Sequence, residues 1–222
     1  MSTKTDSITE QIHKELRMDI LTGKISGGTR LAESTLAKEK GISRTPAREA
    51  LQQLAREDLV YAIPRAGYVV QELSESDIID LFETRSRIEM VAALAALENI
   101  TDAELELMKN NLIKTKAVID TNSMENMISL DTEFHEILYK ATRSKYLYRI
   151  CMNLSDYTLK FRQSVIIIPE VGKRARQDHI KIYEALKTRD AASVEDAIKD
   201  HLIVVKKDIL GHLKTLRQQS FM

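Results

Sequence analysis

Four metal-binding side chains stand where an α-helical pattern calls for apolar residues. In segment 123–142 the stripe Met127, Asp131, Phe134/His135, Leu138 places Asp131 and His135 four residues apart on one inward face. In segment 169–187 the stripe Ala175, His179, Ile182/Tyr183, Leu186 turns His179 inward, and in 194–216 Val194, Ile198, His201, Val205, Ile209 does the same for His201. At 1.5 Å rise per residue, the roughly 11 residues between each of these histidines and the turn near 190–191 put both imidazoles ~16 Å below that turn. They are therefore level in an antiparallel pair. One carboxylate and three imidazoles at one depth of a bundle suit a first-row divalent ion, zinc first, with nickel, cobalt or manganese also accommodated. Against this, an inward histidine is commonly a hydrogen-bonded core residue, and Asp131 and His135 can satisfy each other without an ion. The matched depths favour the metal. His212 lies ~16 Å further along its helix and is outside any shared site, and His13 has no companions.

Arg85 is a fifth anomaly, on the stripe Ile78, Leu81/Phe82, Arg85, Ile88, Ala92, Ala95. A guanidinium facing a core needs an anion. Glu89, one turn on, supplies one; the carboxylate of a small ligand whose other oxygens reach the metal is the alternative. Arg162 is a second ligand-binding candidate of the same kind. Three histidines around an ion with an open position also generate hydroxide at neutral pH, so a metal-dependent enzyme competes with a binding role, and a metal sensor with both. No second general base stands beside the four residues.

Six helical segments carry these groups, at about 76–98, 102–120, 123–142, 145–166, 169–187 and 194–216. Thr101, Ser123 and Ser193 are candidate N-caps, Pro169 suits a first turn, and the short connections imply an antiparallel bundle. The texture ahead of residue 74 differs. Ser7-Ile8-Thr9-Glu10 fits a capping box, opening a helix with the stripe Ile8, Ile12, Leu16, Ile20 that runs to Gly23. Ser34 caps a short helix over 35–40, Gly41 ends it, and Ser43 caps another over about 44–58 with Pro46 in its first turn. Leu59–Ile63, a Pro64-Arg65-Ala66-Gly67 break and Tyr68–Leu73 read as a β-hairpin. In the second short helix Ala47, Ala50, Leu51 and Leu54 face inward, so Arg44, Thr45 and Arg48 face out from its N-terminal half. Lys38, Lys40, Arg44 and Arg48 are opposed there by Glu39 alone. A solvated helix face explains the charges taken alone. The order helix, turn, helix, hairpin favours DNA, with Arg65 and Gly67 at the hairpin tip near the duplex.

The 222 residues contain 33 basic and 33 acidic side chains, so a DNA-binding role rests on local placement and not on net charge. Neither side of residue 73 is strongly polarised. With 43% hydrophobic and 30% charged residues the chain supports a core and is neither disordered nor membrane-embedded. Seven Gly, three Pro and no Trp argue against an all-β fold, and Cys151 alone excludes an intrachain disulfide framework. No apolar run is long enough for a bilayer and no signal peptide opens the chain, which implies a cytoplasmic protein with no membrane partner.

The stretch Gly41-Ile42-Ser43-Arg44-Thr45-Pro46-Ala47-Arg48-Glu49-Ala50-Leu51, the wing Arg65-Ala66-Gly67-Tyr68-Val69, and Gly28-Thr29-Arg30-Leu31 upstream resemble the GntR family of bacterial transcription regulators. Asp131-Thr132-Glu133-Phe134-His135, Asp178-His179, His201 and Leu81-Phe82-Glu83-Thr84-Arg85 resemble its FadR-like branch, which carries an FCD effector domain. The likeness spans about 7–216. It implies a mainly α protein: a winged helix-turn-helix over 1–73 and an antiparallel helical effector and dimerisation domain of about six helices over 74–222. Carried over by position, Glu33, Ser34, Ser43, Arg44, Thr45, Arg48 and Gly67 are DNA contacts, with Ser34 standing where members often have arginine. Asp131, His135, His179 and His201 correspond to the family's metal set. Arg143-Ser144-Lys145 departs from a Gly-Asn pair common among relatives. The implied function is a non-enzymatic, ligand-responsive regulator, a repressor, binding palindromic operator DNA as a homodimer and sensing a small carboxylate.

Overall fold

The structure, a computed structural model, describes residues 7–64, 66–72 and 74–219, so Arg65 lies outside the described residues. The chain divides into two compact units with the boundary between Ser74 and Glu75.

In the N-terminal unit, α1 (Ile8–Leu21) opens on the expected capping box: Glu10 N–H donates to Ser7 Oγ at 3.2 Å and Ser7 N–H to Glu10 Oε2 at 2.7 Å. α2 (Glu33–Lys40) ends at Gly41, whose φ of 65° suits glycine, and α3 (Arg44–Arg56) follows. Two expected caps differ. α2 begins before Ser34, from Ala32, with no side-chain cap. Ser43 holds the N-cap position of α3, but its hydroxyl makes no capping bond. Ala47, Ala50, Leu51 and Leu54 are fully buried and pack with Ile12, Leu16 and Ile20 of α1, while Ile8 stays exposed. Glu57 locks the end of α3 to α1, accepting from Arg17 Nε at 2.8 Å and lying 2.6 Å from His13 Nε2. His13 is thus a structural residue.

The hairpin is β2 (Val60–Ile63) and β3 (Gly67–Val70), and a two-residue strand β1 (Arg30–Leu31) adds to β3, giving the antiparallel order β1-β3-β2. Arg30 and Leu31 pair with Val69 and Tyr68. Gly67 has φ +91°, and a Cβ there would lie 2.6 Å from the Leu31 carbonyl. Packing against β1 therefore explains this glycine without any approach to a duplex.

The C-terminal unit is an all-helical bundle: α4 (Glu75–Asn99), α5 (Asp102–Asp120), a 3₁₀ turn (Met124–Asn126), α6 (Met127–Ala141), α7 (Lys145–Tyr157), α8 (Leu159–Ile166), α9 (Pro169–Thr188) and α10 (Ala191–Gln219). α10 packs on α4 and α9, and α5 on α6 and α9. The Thr101/Glu104 capping box forms, and Pro169 takes the first position of α9. Asp190, not Ser193, caps α10: its carboxylate accepts from the N–H groups of Ala192 and Ser193 at 3.1 and 3.4 Å. The segment expected as one helix over 145–166 is broken at Thr158. There the hydroxyl donates to Ser155 O at 2.8 Å and accepts from Arg85 Nη1 at 3.0 Å, so a buried cation holds the break. Arg143, at the departure from Gly-Asn, takes a φ of 56°. Its guanidinium forks onto Glu104 with two 2.7 Å bonds and holds that carboxyl down at about 2, a compensation a glycine could not offer.

Candidate metal-binding cavity and nucleic-acid interface

α6, α9 and α10 bring His135, His179 and His201 together. All three are buried, with ring centroids 4.9 to 5.1 Å apart and one nitrogen from each within 4.8 Å of the others. The level placement of His179 and His201 follows from the antiparallel α9–α10 pair. Phe134 stacks on His179 with centroids 4.1 Å apart and planes 3° from parallel, which fixes that ring. His135 Nδ1, His179 Nε2 and His201 Nδ1 have no hydrogen-bond partner. Three orphaned imidazole nitrogens are costly for a core, and a donor set of this kind is compatible with a divalent metal ion.

Asp131 stands at the edge of this cluster. Its Oδ1 is 3.6 Å from His179 Nε2 and its Oδ2 accepts from Arg162 Nη1 at 2.6 Å, so its partners are Arg162 and His179 and not His135. Arg162 Nε is buried and unpartnered. Arg85 is engaged by Glu89, Nε donating to Oε1 at 2.7 Å, and by Thr158. Burial is the largest single influence and opposes its charge, but Glu89, Tyr139 and Asp131 together outweigh it, so its pKa is raised. Glu89 is itself fully buried, and the inward phase of α4 runs through Glu89 and Ala96 in place of the expected Ile88 and Ala95.

Sequence reasoning assigned no role to Asp178, although it fits the α9 stripe three residues after Ala175. Its carboxylate is buried, with Oδ2 4.0 Å from His201 Nδ1 and Oδ1 accepting from Lys181 at 2.9 Å. That separation is an ion-pair contact and not a hydrogen bond, and it falls on the His201 nitrogen that has no hydrogen-bond partner. Thr158 carries no such signal, because it sits inside an unbroken helical pattern.

Burial first, then the neighbouring histidines and arginines, holds His135 and His201 well below the ordinary histidine range; burial also lowers His179, with Asp131 and Asp178 pulling back. The three are neutral at pH 7 and ready to donate lone pairs. Their folded pKa values lie below the unfolded value of 6.5. Between those values the unfolded chain binds protons the native state refuses. Stability from these groups is therefore complete above pH 6.5 and falls as pH drops below it, by up to about 1.4 kcal/mol per pH unit for each histidine. Thermal melts of chelator-stripped protein from pH 8 to pH 5 should show this fall; a melting temperature flat across that range contradicts it.

Beside the cluster is a cavity of about 20 Å³, room for a bare ion or a water molecule. Arg85, Asp131, His135, Arg162 and His201 line one end.

In the N-terminal unit an open groove of about 460 Å³ is lined by Arg30, Glu33, Ser34, Arg44, Gly67 and Tyr68. Ser43, Arg44, Thr45 and Arg48 are exposed at the start of α3, as their spacing implies. Arg48 Nε donates to Glu33 Oε2 at 3.0 Å, tying α3 to α2. Arg30, which sequence reasoning gave no role, donates from Nε to Ala66 O at 2.6 Å and fastens the wing.

Residues 8–70 match the model of bacterial regulatory proteins of the gntR family, and residues 80–203 match the FCD domain. The chain is 26% identical to the HTH-type transcriptional repressor RspR of Escherichia coli K12 across 97% of its own length and 93% of that protein. It is 32% identical to the gluconate operon transcriptional repressor of Bacillus subtilis strain 168, over 80% of this chain and 75% of that one. Its fold is similar to that of E. coli McbR/YncC, with a TM-score of 0.75 at 22% identity, covering 97% of this chain and all (100%) of the other. Among the described residues no helix is long and apolar enough to cross a membrane. A helix-turn-helix unit with a winged sheet, followed by a helical bundle built around three histidines, places this chain in the GntR family of transcription regulators, with an FCD domain as its C-terminal half.

Proposed function

We propose that the protein is a repressor that binds a palindromic operator as a homodimer and responds to a small carboxylate through a metal ion in its FCD domain. The observation that carries this is the set of three neutral imidazoles, each with one buried nitrogen that makes no hydrogen bond, beside a buried guanidinium whose Nε–H has no partner. His135, His179, His201 and Asp131 would hold a divalent ion, zinc first among nickel, cobalt and manganese. When bound it supplies two positive charges and open coordination positions. The lining cannot neutralise these, because Glu89 already matches Arg85 and Asp131 matches Arg162. An anionic guest restores the balance, with Arg162 Nε as its donor. RspR and the gluconate operon protein are named as repressors, which supports repression here and a cytoplasmic location.

Dimerisation fits α7, which buries only Cys151 and Ser155 of its 13 residues while Tyr146 and Ile150 stand exposed one turn apart. Ile150→Glu should therefore shift the protein to monomer in sedimentation, and an unaltered dimer removes α7 as the interface. In the dimer, DNA contacts fall to Glu33, Ser34, Ser43, Arg44, Thr45 and Arg48, with Gly67 and Arg65 at the wing. A guest that rearranges the bundle alters the spacing of the paired winged helices, and fixed half-site spacing turns that into lost affinity.

The 20 Å³ cavity favours a second reading, in which the ion itself is the sensed species. Operator binding measured with chelator, with zinc, and with zinc plus organic acids separates the two: a response to acid only in the presence of zinc supports the first, and a full response to zinc alone the second. His179→Ala should cut metal content by at least about tenfold and abolish either response, with basal operator binding kept. Unchanged metal content refutes the site.

A further inference from the structure

The cavity has two ends of opposite chemistry. Beyond the polar end described above, its wall consists of Val165, Ile166, Val171, Ala175, Val204 and Val205. No hydroxyl, amide or charge interrupts this wall until Asp208, which accepts from Arg174 Nη2 at 2.7 Å. Burial fades in the same direction: Val165 and Ile166 are buried, whereas Val171, Val204, Val205 and Asp208 are half-buried. On α10 the sequence His201, Val204, Val205, Asp208 climbs from the histidine cluster toward solvent.

We infer that the effector is a short aliphatic monocarboxylic acid, straight or branched, and not a polyhydroxylated one. The inference rests on the effector reading above. The carboxylate meets the polar end, where Arg162 Nε is buried without a partner. The rise from His201 to Asp208 is ~10 Å, the span of a carboxylate and a chain of about four or five carbons. The cavity of about 20 Å³ is smaller than such a chain, so the half-buried Val171, Val204 and Val205 must part as it enters. A sugar acid placed there strands its hydroxyls against aliphatic wall with no partner, and each stranded hydroxyl carries a desolvation cost.

Titration calorimetry on the zinc-loaded full-length protein tests this with acetate, propanoate, butanoate, pentanoate and hexanoate against lactate and gluconate. Affinity should rise about fourfold per methylene from acetate to pentanoate. Propanoate should bind more tightly than lactate, and hexanoate more tightly than gluconate. Val204→Thr, which keeps side-chain size and adds a hydroxyl, should weaken pentanoate about fivefold or more while leaving acetate within about twofold and metal content unaltered. A flat chain-length series, a hydroxylated acid that outbinds its aliphatic counterpart, or a Val204→Thr protein that binds pentanoate normally overturns the aliphatic assignment and leaves the effector reading standing. If no acid of either kind binds, the effector reading itself falls, and this inference with it.

Discussion

Arg85→Met should lower the stability of the C-terminal unit by about 3–5 kcal/mol, because it leaves the buried Glu89 carboxylate without its cation. Glu89 is 0% exposed, its Oε1 accepts the 2.7 Å bond from Arg85 Nε, and its Oε2 has no partner. Removing Arg85 also frees the Thr158 hydroxyl that marks the break between α7 and α8. Glu89→Leu alone should cost a similar amount, since it strands the guanidinium instead. The double variant Arg85→Met/Glu89→Leu removes both charges, and urea denaturation should find it within about 1–2 kcal/mol of the parent protein. Additive losses in the double variant would mean that the pair is not the unit of stability. The double variant also decides between the two roles open to Arg85. If the guanidinium is only a structural partner of Glu89, the folded double variant keeps the affinity for acid proposed above; if it also grips the guest, that affinity falls with the fold intact.

The parts of this molecule that repeat with helical period were legible in the sequence. Asp131, His135, His179 and His201 interrupt apolar stripes, and the antiparallel α9–α10 pair converts equal distances from one turn into equal depth, so three imidazoles meet where the pattern put them. The groups that engage the cationic residues were harder to read. Glu89 lies on the Arg85 face, but its burial depends on a slight phase shift of α4 toward Ala96 that a stripe through Ile88 and Ala95 hides. Thr158 is invisible because a helix break caused by a tertiary hydrogen bond leaves no local signature: neither glycine nor proline marks it. Strand β1 escaped for a related reason, since two residues show no alternation and Arg30–Leu31 is a strand only because Tyr68 and Val69 stand opposite. Arg162 was legible as a core-side cation, but its engagement with Asp131 crosses from α8 to α6 and belongs to the packing alone.

The second large effect is at the other end of the chain. Arg44→Ala and Arg48→Ala should each weaken operator binding without changing the fold, because both side chains are exposed and α3 is held by Ala47, Ala50, Leu51 and Leu54 from its opposite face. An arginine that reads a base edge is worth about 1–3 kcal/mol, and the symmetric dimer proposed above counts it twice, so each substitution should cost about 2–6 kcal/mol, or about 30-fold to 10⁴-fold in affinity. Competition against operators altered at single positions separates base readout from phosphate contact. A base-reading arginine loses discrimination at one position of each half-site. A phosphate-binding one weakens all sequences alike and lowers the salt dependence by about one unit per contact. Glu33→Gln gives the opposite sign. The Arg48–Glu33 bond holds the guanidinium in one direction and places a carboxylate beside the groove that also holds Ser34 and Arg44. Removing that negative charge should strengthen binding to random duplex while narrowing the margin in favour of the operator, because Arg48 is then free to meet any phosphate. If Glu33→Gln instead weakens random and operator DNA equally, the ion pair has no part in selecting sequence, and Arg48 acts as a simple point of charge.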